Sequence, residues 1–342
     1  MFLSIVIPVY NCADTIGRCL DSIYSQGLAE SDFEVICVDD CSPELSTVMT
    51  IENYKFKDNT PSNLILIKHK VNKRQGGARN TGIRAANGEW IQFMDCDDFL
   101  IENCMVKLLD ILKRNPDLDL LTFNHYIGTE TEVIEKINRI NNNTQVMTGY
   151  EYHIRQEIPS VTWECLFRKS RFYSYNVWFH ENTRFEDVDS VIKYTILAGK
   201  VLYVPIDVYY HVLRKGQTSD IGHEVEKIRD EYLLSNRMAN NAMVFKKISQ
   251  YKTNGDYLMH YAALNRITFT KKDLWKLRFS ERISLLREVR LPFKTGYRIP
   301  DFIYSHPVIT SCVLCLLNQR ILNLLIKGKK FKNDTLNSLL HK

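Results

Sequence analysis

The sequence predicts an α/β fold, in which a mostly parallel sheet carries helices on both faces and a helical, basic region follows. Continuous apolar strands alternate with stretches of helical periodicity over the first 125 residues, which is typical of a sheet covered on both faces. The last part differs in composition, because residues 271–342 carry 15 basic and 5 acidic side chains. That charge favours an anionic partner surface for the C-terminal region.

The alternation begins with the strand "LSIVIPVY" and the amphipathic helix "ADTIGRCLDSIYSQ". The strands "FEVICVDD", "NLILIKH" and "EWIQFMD" follow, separated by the helical stretches "LSTVMTIENYKF" and "GGARNTGIRAANG". Ligands in such sheets bind beyond the carboxyl ends of the strands, which here read "PVYN" (8–11), "DDCS" (39–42) and "DCDD" (95–98). Polar side chains therefore lie where a ligand is expected.

A second α/β part follows the helix "ENCMVKLLDILKRN" and the strand "DLDLLTFNHYIG". After a polar loop at 138–145, the pattern resumes with "VTWECLFRKSRF", "RFEDVDSVIKYTILAGKV" and the strand "VLYVPIDVYYHV". From about residue 225 helical periodicity dominates. We therefore predict an α/β domain over residues 1–220, divided near residue 125, and a helical appendage over residues 221–342.

The chain of 342 residues is 45% hydrophobic and 25% charged, which is ordinary for a globular protein. Its start, "MFLSIVIPVYNCADT", has no basic segment and is broken by Pro8 and Asn11. These features favour a first strand over a signal peptide and predict a cytoplasmic protein. The nine cysteines are scattered among apolar residues and do not indicate a disulfide framework.

The segment "DCDD" places Asp95, Asp97 and Asp98 directly after a buried strand. Close carboxylates repel each other, so such a cluster calls for a cation or for a solvated loop that caps the next helix. Oxygen ligands suit Mg²⁺ or Mn²⁺, and these ions typically bridge to phosphates. The fingerprints G-x-G-x-x-G after the first strand and G-x-x-x-x-G-K-[ST] are absent, which disfavours a Rossmann dehydrogenase or a P-loop kinase.

Five segments together resemble glycosyltransferase family 2, of the bacterial polysaccharide type, over roughly residues 2–220. They are "SIVIPVYN", "CLDSIYSQ", "EVICVDDCS", "QGGARNTGIRAANGEWIQFMDCDD" and "RFEDVDSVIKYTILAGKVLYVPIDVYYHV". The resemblance implies the GT-A fold, with a nucleotide-sugar half over residues 1–125 and an acceptor half over residues 126–220. It also implies transfer of a sugar from a nucleotide-diphosphate donor, expected to be UDP-linked, with inversion at the anomeric carbon.

For the donor, the resemblance implies that Asp40 binds the pyrimidine base. A carboxylate can accept a hydrogen bond from the ring N–H of uracil. Asp39 either joins it or caps the helix that follows. Arg79 resembles the family arginine that packs on the nucleotide, beside Gly77, which permits close backbone approach; a surface helix start is the alternative. The loop after the first strand would line the nucleotide through Pro8, Val9, Tyr10 and Asn11.

Asp95-Cys96-Asp97 matches the D-x-D motif of the family. The match makes Asp97 the first metal ligand and assigns Asp95 to the ribose or the metal. Asp98 either shares the metal or caps the next helix. Cys96 belongs to the donor site by position, as a small side chain that faces the sheet. The implied cofactors are a divalent metal, Mn²⁺ or Mg²⁺, and a nucleotide sugar.

The segment "FEDVDS" matches the family's E-D pair, whose aspartate is the base for the acceptor hydroxyl. This makes Asp187 the candidate base, with Glu186 supporting it or binding the acceptor. An ordinary carboxylate at a helix N-terminus is the alternative for Asp187, and it is the expected role of Asp189.

The segment "YYHVLRKGQTSD" resembles the part of the family that closes over the diphosphate, so His211 or Arg214 is expected to contact phosphates. The family often has a histidine where this chain has Arg214. Trp163 takes the place of a family tryptophan near the donor sugar or acceptor. The Asn-Lys pair that usually follows is replaced by Glu164-Cys165, so the acceptor contacts stay open.

Residues 307–332 join an apolar stretch to a basic cluster. Polar residues at 318–320 interrupt the apolar stretch, so a spanning helix is not expected. An in-plane helix on anionic lipid fits better and predicts a peripheral protein at the inner face of the cell membrane. The acceptor is then a saccharide or a lipid-linked saccharide. A C-terminal helix packed on the catalytic domain is the alternative.

Two other functions fit the sequence less well. A sugar-phosphate nucleotidyltransferase needs a Gly-rich loop with Arg or Lys after the first strand, and "PVYNCADT" has neither Gly nor Lys. A non-catalytic module that binds nucleotide sugars or nucleic acid does not need both Asp187 and the "DCD" segment. No nucleic-acid partner is therefore expected.

Overall fold

The computed structural model describes residues 1–55, 63–138, 144–155, 160–214, 224–272 and 277–289. The predicted lipid contact at 307–332 and most of the polar loop at 138–145 lie outside these residues and stay predictions. The chain divides into two compact units, one of residues 1–221 with 248–254 and one of residues 222–247 with 255–342. The functional division of residues 1–220 into a donor half and an acceptor half stays a prediction.

The first unit alternates strands and helices, as expected. Its described strands are β1 Leu3–Val9, β2 Phe33–Asp39, β3 Leu64–Lys68, β4 Trp90–Phe93, β5 Phe99–Leu100, β6 Leu120–Gly128, β7 Val133–Ile137, β8 Cys165–Arg168 and β9 Val201–Val212. Its described helices are α1 Ala13–Tyr24, α2 Ser46–Lys55, α3 Arg74–Ala85, α4 Cys104–Arg114, α5 Gly149–Arg155, α6 Lys169–Ser174 and α7 Glu186–Leu197.

The strands form one sheet in the order β3-β2-β1-β4-β8-β6-β9-β5, and β7 pairs with the second half of β6. Strands β3, β2, β1 and β4 are mutually parallel, and β6 is parallel to β9. Strand β8 lies antiparallel between β4 and β6, and β5 and β7 are also antiparallel to their partners. The predicted α/β class is confirmed, and the antiparallel strands are short additions to the parallel framework.

Both faces of the sheet are covered by helices because neighbouring strand residues point to opposite sides. Ile5 and Ile7 of β1 pack in one core cluster with Ile16 of α1, on what we call the α1 face. Val6 packs in a second cluster with Ala78 of α3, and that cluster also contains Val191 and Tyr194 of α7; we call this side the α7 face. The β1 strand is fully buried, as its continuous apolar sequence predicted.

The second unit is helical in its described part, as the periodicity predicted. Helix α8 covers Glu224–Lys246, α9 covers Lys252–Lys272 with its first residues in the first unit, and α10 covers Phe279–Glu288. A small core joins Ile228 and Tyr232 of α8 to Leu285 and Leu286 of α10. Of the helices in the described ranges, none is both long and apolar enough to cross a membrane.

Candidate active site

The carboxyl ends of β1 and β2 bring two predicted donor loops together. The Asp40 N–H donates to the carbonyl of Val9 at 2.9 Å, and the Asn11 N–H donates to Ser42 Oγ at 3.1 Å. Pro8 and Val9 are buried within the sheet, whereas the Tyr10 side chain is 48% exposed. Asn11 has φ 49°, so the chain turns sharply at this point. Of the predicted residues 8–11, Tyr10 therefore offers the largest surface to a ligand.

The two acidic residues after β2 have different environments. Asp39 Oδ1 accepts the Ser42 hydroxyl at 2.5 Å and thereby closes the loop after β2. Asp40 Oδ1 lies 2.7 Å from His69 Nδ1 and accepts the Lys73 N–H at 2.8 Å, whereas no hydrogen bond from the described residues reaches its Oδ2. Oδ2 of Asp40 can therefore accept a hydrogen bond from a ligand, whereas the Asp39 carboxylate is hydrogen-bonded within the loop after β2.

Arg79 of α3 connects the aspartate loop to the start of α7. Its guanidinium donates to Glu186 Oε1 through Nη1 and to Asp95 Oδ1 through Nη2, the second bond at 3.2 Å. The side chain is 2% exposed, so no face of the guanidinium is open for a base to pack on. In this structure Arg79 forms a buried ion bridge and does not lie at the surface, and its predicted contact with the nucleotide stays a prediction.

Asp187 lies in the first turn of α7, beside this bridge. The preceding Phe185 has φ 57°, an unusual value for an aromatic residue, and it orients the start of the helix. Burial first, and the charge of Glu186 second, raise the pKa of Asp187 to about 7, although Arg79 opposes the shift. A carboxylate with a pKa near neutrality suits a general base.

Backbone contacts hold the aspartate loop that follows β4. Arg18 of α1 and Arg214 both donate to the Asp97 carbonyl, at 2.8 and 2.6 Å, and Thr15 donates to the Cys96 carbonyl at 3.0 Å. Burial and the charge of Asp98 raise the pKa of Asp97. Burial also raises the pKa of Asp95, to about 6, against the influence of Arg79. Burial and the neighbouring aspartates therefore outweigh the stabilisation that Arg79 and Arg214 give to the ionised forms of Asp95 and Asp97.

Asp98 differs from its neighbours because its side chain is fully buried. It accepts the Tyr209 hydroxyl at 2.7 Å and the Val212 N–H at 2.8 Å, and it lies 3.1 Å from His211 Nδ1. These contacts fasten the aspartate loop to β9, and Asp98 neither faces the loop's exposed side nor caps α4. Asn103 stands at the N-cap of α4, so Asp98 does not cap that helix, and the predicted share of Asp98 in the metal site stays a prediction.

The Trp163 ring stacks on two rings of β9. Its centroid lies 4.7 Å from that of Tyr209 and 5.4 Å from that of His211. Trp163 is 7% exposed, so little of its surface is open in this structure, and its predicted contact with the donor sugar or acceptor stays a prediction. Burial lowers the pKa of His211, but the hydrogen bond to Asp98 and the charges of the nearby aspartates outweigh it, so the net shift is upward. The upward shift favours the protonated form of His211, which can donate a charge-assisted hydrogen bond to a phosphate.

Sequence reasoning missed Arg18 and Tyr209. Arg18 and Thr15 lie one helical turn apart on α1 and both bond the aspartate loop, so their spacing was the available signal. Tyr209 accepts the Asp95 N–H at 3.0 Å while donating to Asp98. Nothing in the sequence distinguishes Tyr209 from Tyr210 beside it, since only the strand register places one of them under the loop.

The fit of a divalent cation can be judged from the aspartate loop. Within the described ranges, no three His, Cys, Asp or Glu side chains are grouped as a ready set of ligands. Mg²⁺ and Mn²⁺ are, however, commonly held by one or two carboxylates together with phosphate oxygens and water. Asp95 and Asp97 supply two carboxylates with raised pKa values, so a cation here would relieve their mutual repulsion. The residues present fit such an ion.

Gly76 lies where α3 meets the segment before α7. A Cβ on Gly76 would lie 2.2 Å from the His180 carbonyl oxygen and 3.0 Å from Glu186 Cγ. We expect Gly76→Ala to lower the free energy of unfolding by about 1–3 kcal/mol, because backbone must shift to admit the methyl group. Chemical denaturation would measure it. Gly17→Ala is the matched control, since no atom lies within 4 Å of its added Cβ, and equal stability of the two variants would contradict the close approach.

Comparison with known proteins identifies relatives. A model of the family described as "Glycosyl transferase family 2" matches residues 4–173. The poly(ribitol-phosphate) beta-glucosyltransferase of Bacillus spizizenii is 40% identical over 116 residues, which cover 34% of this chain and 18% of that protein. The chain thus matches less than a fifth of this relative's length.

Solved structures show the same fold. The crystal structure of S. aureus TarS 1–349 superposes with a TM-score of 0.68 at 17% identity, covering 96% of this chain and 92% of that one. The same fragment in complex with UDP-GlcNAc gives 0.60 at 17% identity, covering 92% and 90%. Mannosyltransferase PcManGT from Pyrobaculum calidifontis, in complex with GDP-Man and Mn²⁺, gives 0.51 at 15% identity, covering 91% and 86%. The likeness confirms the predicted fold.

Proposed function

The chain belongs to glycosyl transferase family 2, whose model matches residues 4–173, and on that premise we propose that the protein is an inverting glycosyltransferase. Its donor is a UDP-linked hexose or N-acetylhexosamine. The acceptor is a hydroxyl of a saccharide or lipid-linked saccharide in the synthesis of a cell-surface polymer. Two relatives support this choice: one is named for glucosyl transfer to poly(ribitol phosphate), and TarS is named in complex with UDP-GlcNAc.

The observation that carries the proposal is the buried ion bridge of Arg79. It joins Asp95, in the loop proposed to face the donor diphosphate, to Glu186, the neighbour of the proposed base. A displacement reaction needs its base and its leaving-group site in a fixed relation. A single buried guanidinium that contacts both the aspartate loop and the start of α7 supplies that relation.

In the proposed reaction, the Asp187 carboxylate accepts the proton of the acceptor hydroxyl. The acceptor oxygen forms a bond to the anomeric carbon from the face opposite the diphosphate. The bond between the anomeric carbon and the diphosphate oxygen breaks, and its electron pair leaves with UDP. Asp40 Oδ2 accepts a hydrogen bond from the ring N–H of uracil in UDP. His211 and Arg214 attract the departing phosphates. The configuration at the anomeric carbon is thereby inverted.

A divalent metal at Asp95 and Asp97 would supply positive charge to the diphosphate when bound. We expect a screen of UDP-sugars to show UDP release that EDTA abolishes and Mn²⁺ or Mg²⁺ restores. Asp97→Asn should weaken Mn²⁺ binding in the presence of UDP at least about tenfold, measured by isothermal titration calorimetry. Asp110→Asn, on the exposed face of α4, is the matched control. Release that is unaffected by EDTA would contradict the metal proposal.

The pH dependence of kcat/KM follows from the raised pKa of Asp187, about 7. Only the deprotonated carboxylate can accept the acceptor's proton. We therefore expect kcat/KM to rise about tenfold per pH unit below pH 7 and to level off above it. A profile that stays flat between pH 5.5 and 8, measured at saturating metal, would contradict the assignment of Asp187 as the base.

A further inference from the structure

A polar cluster on the carboxyl halves of β6 and β9 is not used by the reaction as described so far. Asp207 of β9 accepts hydrogen bonds from the Tyr126 hydroxyl at 2.7 Å, the Lys136 ammonium at 2.7 Å and the Asn124 amide at 3.2 Å. Lys136 comes from β7, which pairs with β6. We call these four residues, Asn124, Tyr126, Lys136 and Asp207, the β6–β9 cluster. A polar group on inner strands is unusual, since such positions are normally apolar.

The cluster lies on the α7 face of the sheet. The Tyr203 hydroxyl donates to Asn124 Oδ1 at 2.6 Å, and the Tyr203 ring belongs to the core cluster that contains Val191 and Tyr194 of α7. Arg79, which bonds Glu186 at the start of α7, comes from α3 on the same face. The β6–β9 cluster and the proposed base therefore lie on the same side of the sheet.

The strand register places the cluster at the level of the aspartate loop. Gln92 of β4 and Leu121 of β6 both pair with Leu166 of β8, so they lie at the same level of the sheet with β8 between them. Strands β4 and β6 run in the same direction, so the end of β4 at Phe93 is level with Thr122, and Asp95 and Asn124 each follow two residues later. Two strand spacings separate the two chains, about 10 Å. That distance is the length of about two sugar rings.

The cluster is arranged with its anchor inside and its hydrogen-bonding groups outside. Asn124 is 3% exposed and is held by Tyr203, whereas the side chains of Asp207 and Lys136 are 27% and 39% exposed. Asp207 is the centre, and its carboxylate has further lone pairs for hydroxyl donors. The Lys136 ammonium has three N–H donors, of which Asp207 takes one. The ion pair leaves the cluster without net charge.

We propose that the β6–β9 cluster is an acceptor subsite that binds the hydroxyl groups of a sugar or alditol unit. A carboxylate, an ammonium and a phenol held together offer both donors and acceptors to neighbouring hydroxyls of such a unit, and the neutral balance suits an uncharged polyol. The inference rests on the proposed function, because it assigns the acceptor of that same reaction. It adds the residues and the chemical class of the unit they hold.

The test compares Tyr126→Phe and Asp207→Asn with Glu135→Gln, an exposed change on the same β7 strand as Lys136 but on its opposite side. Saturation-transfer NMR with ribitol and methyl glucoside as probes, in the presence of UDP and Mn²⁺, reads binding directly. We expect the probe signal to fall about tenfold in the first two variants and to stay unchanged in Glu135→Gln. Tyr126→Phe removes one oxygen and leaves the ring in place.

Hydrolysis of UDP-glucose and UDP-GlcNAc by the wild type separates this inference from the proposed function. Hydrolysis that persists in Tyr126→Phe and Asp207→Asn, together with loss of the probe signal, supports the subsite. Equal probe signals in all variants, or no wild-type signal with either probe, would overturn the subsite whether or not the donor is hydrolysed. Absence of wild-type hydrolysis with a retained probe signal would overturn the proposed function and leave the polyol site standing.

Discussion

Asp187→Asn is expected to lower kcat for sugar transfer by about 10²–10⁴, because an amide cannot accept the acceptor's proton. The substitution keeps the size and shape of the side chain at the first turn of α7. Binding of UDP should stay within about twofold of the wild type, since Asp187 is proposed to act on the acceptor and not on the nucleotide. Steady-state kinetics and calorimetry with UDP would measure the two effects separately.

The control for this variant is Asp110→Asn, which removes a carboxylate that pairs with Arg114 on the exposed surface of α4. We expect its kcat to equal that of the wild type. Full activity in Asp187→Asn would remove the base from the mechanism. Loss of UDP binding in the same variant would instead show that Asp187 belongs to the donor site.

Arg79→Met is expected to lower the stability of the first unit strongly. The guanidinium is buried and neutralises Glu186 and Asp95, and burial of either carboxylate without it is costly. Removal of one partner of a buried ion pair typically costs about 3–5 kcal/mol. We therefore expect a large drop in the midpoint of denaturant unfolding, accompanied by loss of transfer.

Arg84→Met tests whether the effect is specific to the buried bridge. Arg84 lies on the same helix, is exposed, and stacks over Trp178 at 5.0 Å, so its removal should cost less than about 1 kcal/mol. The double variant Arg79→Met with Glu186→Gln should be more stable than Arg79→Met alone, because one unpaired charge is removed. If the double variant lost the sum of both single effects, the two side chains would not be coupled.

The fold followed closely from the apolar pattern. Strand β9 begins and ends at the residues that the segment "VLYVPIDVYYHV" predicted, and β1 and β2 end within one residue of their predicted bounds. The missed strands are β5 and β7, which have two and five residues. Their formation depends on pairing with β9 and β6 and not on a periodic signal of their own, so sequence periodicity could not find them.

The site was harder to predict because it depends on contacts between distant residues. The order of the motifs pointed to Asp95, Asp97 and Asp187, and the roles of all three residues stay predictions. Only the structure distinguishes the environment of Asp98 from that of its neighbours, since Asp98 is anchored under the loop by Tyr209 and Val212. Likewise Arg79 is 107 residues from Glu186 in sequence, and only the packing of α3 against α7 makes them partners.

The stereochemistry of the product tests the proposed reaction most directly. With an α-linked donor such as UDP-glucose or UDP-GlcNAc and an accepted saccharide, ¹H NMR of the reaction mixture reports the anomeric configuration of the new bond through the coupling of its first two ring protons. Direct displacement assisted by Asp187 predicts a β-linked product that forms together with UDP. An α-linked product, or UDP release at the wild-type rate from Asp187→Asn, would contradict it.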